Sequence, residues 1–349
     1  MSKRIPFETL KKTIKQALLN AGLTEEQAEI CATVHSESSA DGVESHGLNR
    51  IPRFVDYIQK GWVHLNGTPQ LTGAKGAVEN YDGQLGVGIT NALFCADRAV
   101  ELAKIHGIGC VALKNTTHWM RGGTYAWKMA ELGFVGFCWI NTEGCMPLWG
   151  SDEPSVGNNP FCIALPRKKG PVILDMAMSQ YAYGKLGVYR LAGKQLPFPG
   201  GFDKDGKLTA DPGAIEDTMR ALPIGYWKGS GLSLALDMAS AVMSNGKNGS
   251  DMNVKTDGSC GGCNQIFIAY DPYLFGSEQE IQEKMDARVD AVHKSHSIEE
   301  ERLVSYPGER TALTREKSMK EGVAVDETVW AQVQAIASGD MNAKDIASK

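Results

Sequence analysis

The stretch 90–115, TNALFCADRAVELAKIHGIGCVALKN, decides the fold class. Its first part, to Gly107, reads as a helix capped by Thr90, and IGCVALKN reads as a short buried strand. Gly107, Gly109 and Ala112 fit the G-x-G-x-x-A spacing of a dinucleotide fingerprint. That fingerprint works only as strand, turn, helix, where the pyrophosphate meets a helix N-terminus. Here the glycines follow a helix and open a strand. The order is reversed, so no Rossmann site is expected at this position.

Working outward, TYAWKMAELG reads as a helix, and FVGFCWIN, FCIALP and PVILDMAM read as strands bounded by Gly, Pro and Asn. GLSLALDMASAVMSNG is a helix apolar nearly all round, which predicts deep burial. CNQIFIAYD is a further strand, with helices following near 276–294 and 326–338. Short strands with helices between them predict a layered α/β domain. Upstream, Phe7, Leu10, Ile14 and Leu18 recur at helical spacing over 6–22, ending at Gly22. Thr24 and Gln27 form a capping box for a second helix that runs to Gly42. A third amphipathic stretch, 48–60, ends at Gly61. The expected organisation is a helical subdomain over 1–65 and an α/β domain over 66–338, whose C-terminal helices pack back on the N-terminal part. A small polar tail over 339–349 is expected to fray. The stretches 191–225 and 245–262 are expected loops.

Among 349 residues, 42% are hydrophobic and 22% charged, a globular composition. The net charge of −5 supplies no basic field for a nucleic acid or an anionic membrane. There is no apolar N-terminal core of the signal-peptide kind and no apolar run of membrane-spanning length. Eight cysteines, mostly inside apolar runs, are expected as free thiols of a cytoplasmic protein. Cys260-Gly-Gly-Cys263 has the gap of a zinc or redox pair but lacks a second pair nearby, so a Gly-rich turn is the expectation and no metal is expected. Arg167-Lys168-Lys169-Gly170 reads as a solvated hairpin turn.

Two clusters carry chemistry. In Glu44-Ser45-His46-Gly47-Leu48-Asn49-Arg50, His46 and Arg50 share a face if helix begins there. A 2-keto acid needs such a pair: an imidazole to bring a proton to the carbonyl oxygen, and a guanidinium to grip the carboxylate. The alternative of a capping Ser, a surface His and a solvated Arg stays open. The second cluster, Thr117-His118-Trp119-Met120-Arg121-Gly122-Gly123, lies between a strand and a helix, where pockets form in layered domains. A structural His in a turn is its alternative. Arg50, His118 and Arg121 are the candidate substrate-binding residues.

These residues resemble the malate/L-lactate dehydrogenase family, which is unrelated to the Rossmann-type enzymes. The likeness runs in order through Ser45-His46-Gly47…Arg50, His118-Trp119-Met120-Arg121-Gly122-Gly123, Gly157-Asn158-Asn159-Pro160, Leu174-Asp175-Met176-Ala177, Tyr183-Gly184-Lys185, Gly225-Tyr226-Trp227-Lys228-Gly229 and Pro307-Gly308-Glu309-Arg310. The resemblance implies a non-Rossmann mixed sheet flanked by helices, a cytoplasmic homodimer, and His46 as catalytic proton donor. It implies cofactor contacts from Val172, Ile173, Leu174, Asp175, Met176 and Ala177, from Trp227 and Lys228, and from Gly308, Glu309 and Arg310. Asp175, at the end of PVILD, could accept hydrogen bonds from ribose hydroxyls. No arginine is placed for a 2′-phosphate, so NAD is expected rather than NADP. The runs THWMRGG, RLAGKQLP…GGFD and GYWKGSGLS point to the branch that reduces a six-carbon diketo acid. Malate, lactate or another 2-hydroxy acid, and a cyclic imino acid, are the alternative substrates. A non-catalytic metabolite-binding protein and a zinc-dependent module are the alternatives from other classes. The stretch 245–263 does not match the family pattern well.

Overall fold

The computed structural model describes residues 3–298 and 304–348. Its centre is a seven-stranded sheet of β1 (Gln70–Lys75), β2 (Val78–Asp82), β3 (Ile108–Thr116), β4 (Val135–Ile140), β5 (Phe161–Leu165), β6 (Val172–Met176) and β7 (Cys263–Tyr270). The spatial order is β1-β2-β3-β7-β4-β5-β6, and only the β2–β3 pair is parallel. A doubly wound dinucleotide fold needs a run of parallel strands, so this mixed sheet is a different architecture, as the sequence implies.

The 90–115 stretch shows why. Helix α4 (Gly88–His106) ends at Gly107, whose φ of +80° forms a left-handed cap, and β3 starts at the next residue. A Cβ on Gly109 would lie 2.0 Å from the carbonyl oxygen of Ala99, so this glycine lets strand and helix touch. Both glycines of the lookalike are therefore spent on a helix stop and a close approach. The helix begins two residues before the expected cap: Thr90 lies inside it, its hydroxyl donating to the Val87 carbonyl at 2.9 Å, while the Gly88 N–H donates to Thr117 Oγ1.

Alternation along each strand sorts side chains to two faces. One face, with Val111, Leu113, Cys138, Cys162, Ala164 and Phe267, packs under α4 and α5 (Gly122–Glu131), where Trp119, Tyr125 and Phe267 stack edge and face. The other face, with Ala112, Ile266, Trp139, Phe161 and Met176, meets Leu236 of α7 (Trp227–Ser244). Between them in sequence, α6 (Tyr183–Leu191) follows β6. Deep burial of α7 is not what the fold provides. It buries Ser230, Ser233, Asp237, Ser240 and Ser244 and leaves Leu234, Met238 and Val242 exposed. Ser240 and Ser244 donate to carbonyls one turn earlier, Ser233 donates to the Gly157 carbonyl and Ser230 accepts from the Trp149 N–H, so a narrow, satisfied polar edge sits close against the sheet.

Helices α1 (Phe7–Asn20), α2 (Glu25–Ala40) and α3 (Ile51–Gln59) share one core with Val323, Val325 and helix α10 (Glu327–Ala337). The capping box at Thr24 and Gln27 is present, and Gly22 and Gly61 take positive φ after α1 and α3. The segment after 339 is packed: Ala343 is buried, Gln332 donates to its carbonyl, and Lys344 lies 3.3 Å from Asp56. As far as Lys344 the expected tail is packed against the chain. The basic turn at 167–170 joins β5 to β6, with Lys168 and Lys169 exposed as expected, whereas Arg167 is buried and pairs with Asp286 of α8 (Glu278–His293) at 2.6 Å, so the turn also docks a helix. The expected loop 191–225 contains a small hairpin, 201–202 with 208–209, and a short helix Pro212–Thr218. All eight cysteines are free.

Candidate active site

His46 sits in two successive single turns of 3-10 helix, 44–46 and 48–50, that lead into α3. The buried polar side of α2 holds this turn from beneath. The His35 ring, fully buried, places Nδ1 3.0 Å from the His46 carbonyl and 3.2 Å from that of Gly47. One turn on, Ser39 Oγ accepts from the Leu48 N–H at 2.8 Å. A Cβ on Gly47 would come within 2.1 Å of that hydroxyl, so only glycine lets the turn lie this close. From the other side, Ser45 meets Gly184 of α6, where a Cβ would lie 2.2 Å from Ser45 Cβ. The fixed backbone aims the ring, and His46 Nδ1 lies 2.9 Å from Ser45 Oγ.

The His118 ring stands 5.8 Å from that of His46. Its Nδ1 accepts the Met120 N–H at 2.8 Å, so in the neutral ring Nε2 carries the hydrogen. Desolvation pushes the His118 pKa well below the usual value, helped by Arg50. His46 is pulled down to about 4, first by desolvation and then by Arg50, with Asp175 opposing. Both rings are thus neutral at pH 7 in the free protein.

Arg50, His118, Phe54, Tyr57, Trp62 and Ser259 line one narrow cleft. Two arginines were candidates for the carboxylate, and their surroundings differ. Arg121 is buried and donates to Asp41, which also receives Arg315 of α9 (Glu309–Glu321) at 2.6 Å. Its Nε lies 3.5 Å from Asp175. Arg50 has no hydrogen bond or ion pair from its side chain among the described residues, and desolvation lowers its pKa. A desolvated guanidinium without a counter-ion is a site for an anion.

The segments expected to meet a cofactor converge on β6. The N–H of Ile173 donates to the Pro307 carbonyl at 2.9 Å, and Gly308, at φ +94°, would place a Cβ 3.1 Å from Ile173 N. The Ile224 N–H donates to the Met178 carbonyl, which sets Trp227 and Lys228, both exposed at the start of α7, just past the end of that strand. Asp175 accepts the Gly123 N–H at 3.0 Å, which turns one carboxylate oxygen toward α5 and Arg121. Glu309 pairs with His293 at 2.8 Å and accepts from the Tyr306 N–H, and not from Arg310.

The family model described as malate/L-lactate dehydrogenase matches residues 5–334. The chain belongs to that family. A 2,3-diketo-L-gulonate reductase of Citrobacter koseri is 41% identical over 336 residues, covering 95% of this chain and all of that protein. Among solved structures of the family's kind, malate dehydrogenase from Pyrococcus horikoshii OT3 superposes with a TM-score of 0.88 at 28% identity, over 97% of this chain and 95% of that one. The sulfolactate dehydrogenase of Methanocaldococcus jannaschii gives 0.88 and 28%, over 98% and 99%. The chain is an oxidoreductase of hydroxy and keto groups, with no helix among the described residues long and apolar enough to cross a membrane.

Sequence reasoning missed His35, Ser39 and Asp41, which hold the site from α2. The signal lies in CATVHSESSAD, 31–41, where His35 and Ser39 stand one turn apart beyond an apolar stretch, a pattern with too little amphipathicity to place either face.

Proposed function

We propose that the chain reduces the C2 carbonyl of 2,3-diketo-L-gulonate to the alcohol of 3-dehydro-L-gulonate, using NADH, with His46 as proton donor. The observation that carries this reading is the unpaired Arg50 lining one cleft with the neutral His118, whose ring stands 5.8 Å from that of the neutral His46, together with relatives named for that substrate. The segments 172–177, 227–228 and 308–310 would hold the nicotinamide cofactor. The bare N-terminal turn of α7 beside Lys228 suits a pyrophosphate, and Gly308 lets its turn lie against β6. When bound, the cofactor supplies the hydride that adds to C2.

The chain's own residues do the rest. The substrate carboxylate docks on Arg50, which Arg121, committed to Asp41, is not free to do. His118 Nε2–H donates to the carbonyl oxygen and orients it. Arrival of the anion offsets the Arg50 charge that depresses His46 and places a negative charge near the ring, so His46 takes up a proton as substrate binds. That proton passes to the oxygen as the C–H bond forms, leaving neutral imidazole and the alcohol. In oxidation the same neutral ring accepts it back.

A homodimer in the cytoplasm belongs to this reading. Cys110, Ile268, Phe137, Ile163 and Leu174 form one half-buried apolar row across five strands, and α7 adds Leu234, Met238 and Val242 beside it. Such a continuous apolar face suits a partner surface. The test is turnover on 2,3-diketo-L-gulonate, oxaloacetate, pyruvate and a cyclic imino acid with NADH and NADPH, followed by loss of reduced-nicotinamide absorbance. The highest kcat/KM is expected for 2,3-diketo-L-gulonate with NADH. Preference for oxaloacetate or for the imino acid would replace this reading.

A further inference from the structure

The loop 253–262 closes the far side of the substrate cleft. A short turn, Val254–Asp257, is capped by Asn253, and Gly258, Cys260 and Gly262 all take positive φ. Glu143 accepts from Ser259 Oγ at 2.7 Å and from the Cys260 N–H at 2.9 Å. Tyr57 Oη accepts from the Ser259 N–H at 3.2 Å, and a Cβ on Gly258 would lie 2.8 Å from Trp62. The Gly262 N–H reaches the Thr116 carbonyl at 2.9 Å. The loop is thus seated on the aromatic side of α3 and on the end of β3, and Cys260 and Cys263 are buried parts of its frame.

This seating puts Asp257 in the wall of the cleft that Arg50 and His118 also line. The Asp257 carboxylate accepts no hydrogen bond and forms no ion pair among the described residues. Among the lining residues the other charged side chain is Arg50; the exposed Arg53 and Glu143, whose two oxygens are already taken, act on Arg50 from nearby, and Lys247 reaches the backbone at Gly262. We propose that Asp257 determines specificity at the substrate's tail: it accepts hydrogen bonds from hydroxyls and rejects a second carboxylate. This rests on the reading that Arg50 takes the C1 carboxylate, since the remaining chain then extends along the cleft wall. A free carboxylate receives two hydroxyl donors readily and repels an anion, so one group supplies both selections.

The test is calorimetric titration of the enzyme saturated with NAD⁺, where keto acids bind without turnover. The probes are 2-oxogluconate (hydroxylated tail), 2-oxoglutarate (a second carboxylate) and pyruvate (no tail). Wild type is expected to favour 2-oxogluconate over 2-oxoglutarate by about tenfold or more, as like charges facing each other would impose. Asp257→Asn is expected to bring that ratio to within about twofold, mainly through tighter 2-oxoglutarate, with pyruvate unchanged. Asp257→Ser, which cannot restore the charge, is expected to behave as Asp257→Asn does, with cofactor affinity unchanged in both. An unaltered ratio in Asp257→Asn overturns the proposal, and so does a pyruvate change as large as the 2-oxoglutarate change. Failure of the functional reading is distinct: no keto acid turned over with NADH, while the binding ratio still responds to Asp257.

Discussion

Gly47→Ala tests how much the reaction depends on the clamp beneath His46. The added methyl would lie 2.1 Å from Ser39 Oγ, 2.9 Å from Ser39 N and 3.0 Å from Ser39 Cα. Ordinary contacts are about 3.5–4.0 Å, so the turn must retreat by roughly 1 Å. The retreat breaks the hydrogen bond from the Leu48 N–H to Ser39 Oγ and loosens the two carbonyls on His35. Overpacking costs about 1–3 kcal/mol, and the lost bond about 1 kcal/mol more. A displacement of that size near the reacting atoms lowers kcat by about 10²-fold. Thermal unfolding and steady-state reduction of the keto acid read the two effects. Adding Ser39→Ala removes the 2.1 Å contact but leaves the backbone ones, so part of the stability should return and little of the rate. A Gly47→Ala enzyme with wild-type Tm and kcat within about twofold would refute the reasoning.

Other perturbations follow from the same geometry. Arg50→Lys replaces a bidentate fork by a point charge and should raise KM for the keto acid about tenfold or more with a smaller effect on kcat; an unchanged KM would assign the carboxylate elsewhere. Asp41→Asn leaves Arg121 buried with only the longer 3.5 Å contact to Asp175, and should lower unfolding free energy by about 3 kcal/mol in denaturant titration. His35 is held down to about 4 by desolvation, so the unfolded chain binds its proton first as pH falls. Stability is full above about 6.5 and lost progressively toward about 4, by an amount on the order of 3 kcal/mol, and His35→Gln should flatten that part of the pH–stability curve.

What the sequence could show was set by the range over which each signal acts. The Thr24–Gln27 cap and the reversed glycines at 107 and 109 are local, and both read true. The α7 error came from judging a helix by composition alone: its serines are satisfied by the helix's own backbone at 240 and 244 and by Trp149 and Gly157 at 230 and 233, and they fit a tight approach to the sheet, so the apolar side is the one left outside. Strand β1, QLTGAK, is exposed along its whole length and therefore carries no alternation to read. The carboxylate that decides Arg121 lies 80 residues away, at Asp41. Its second neighbour, Asp175, comes from β6, beyond two other strands of the main sheet in the chain. Arg50 and Arg121 look alike in sequence for that reason, and only the fold separates a paired cation from an open one.

The imidazole at position 46 is the proposed proton donor, and single-turnover hydride transfer from NADH in His46→Ala tests that role most directly. With cofactor affinity measured separately, the rate is expected to fall by about 10²–10⁴ while NADH binds as in wild type. Transfer at close to the wild-type rate, with the keto acid fully reduced, would remove His46 from the chemistry.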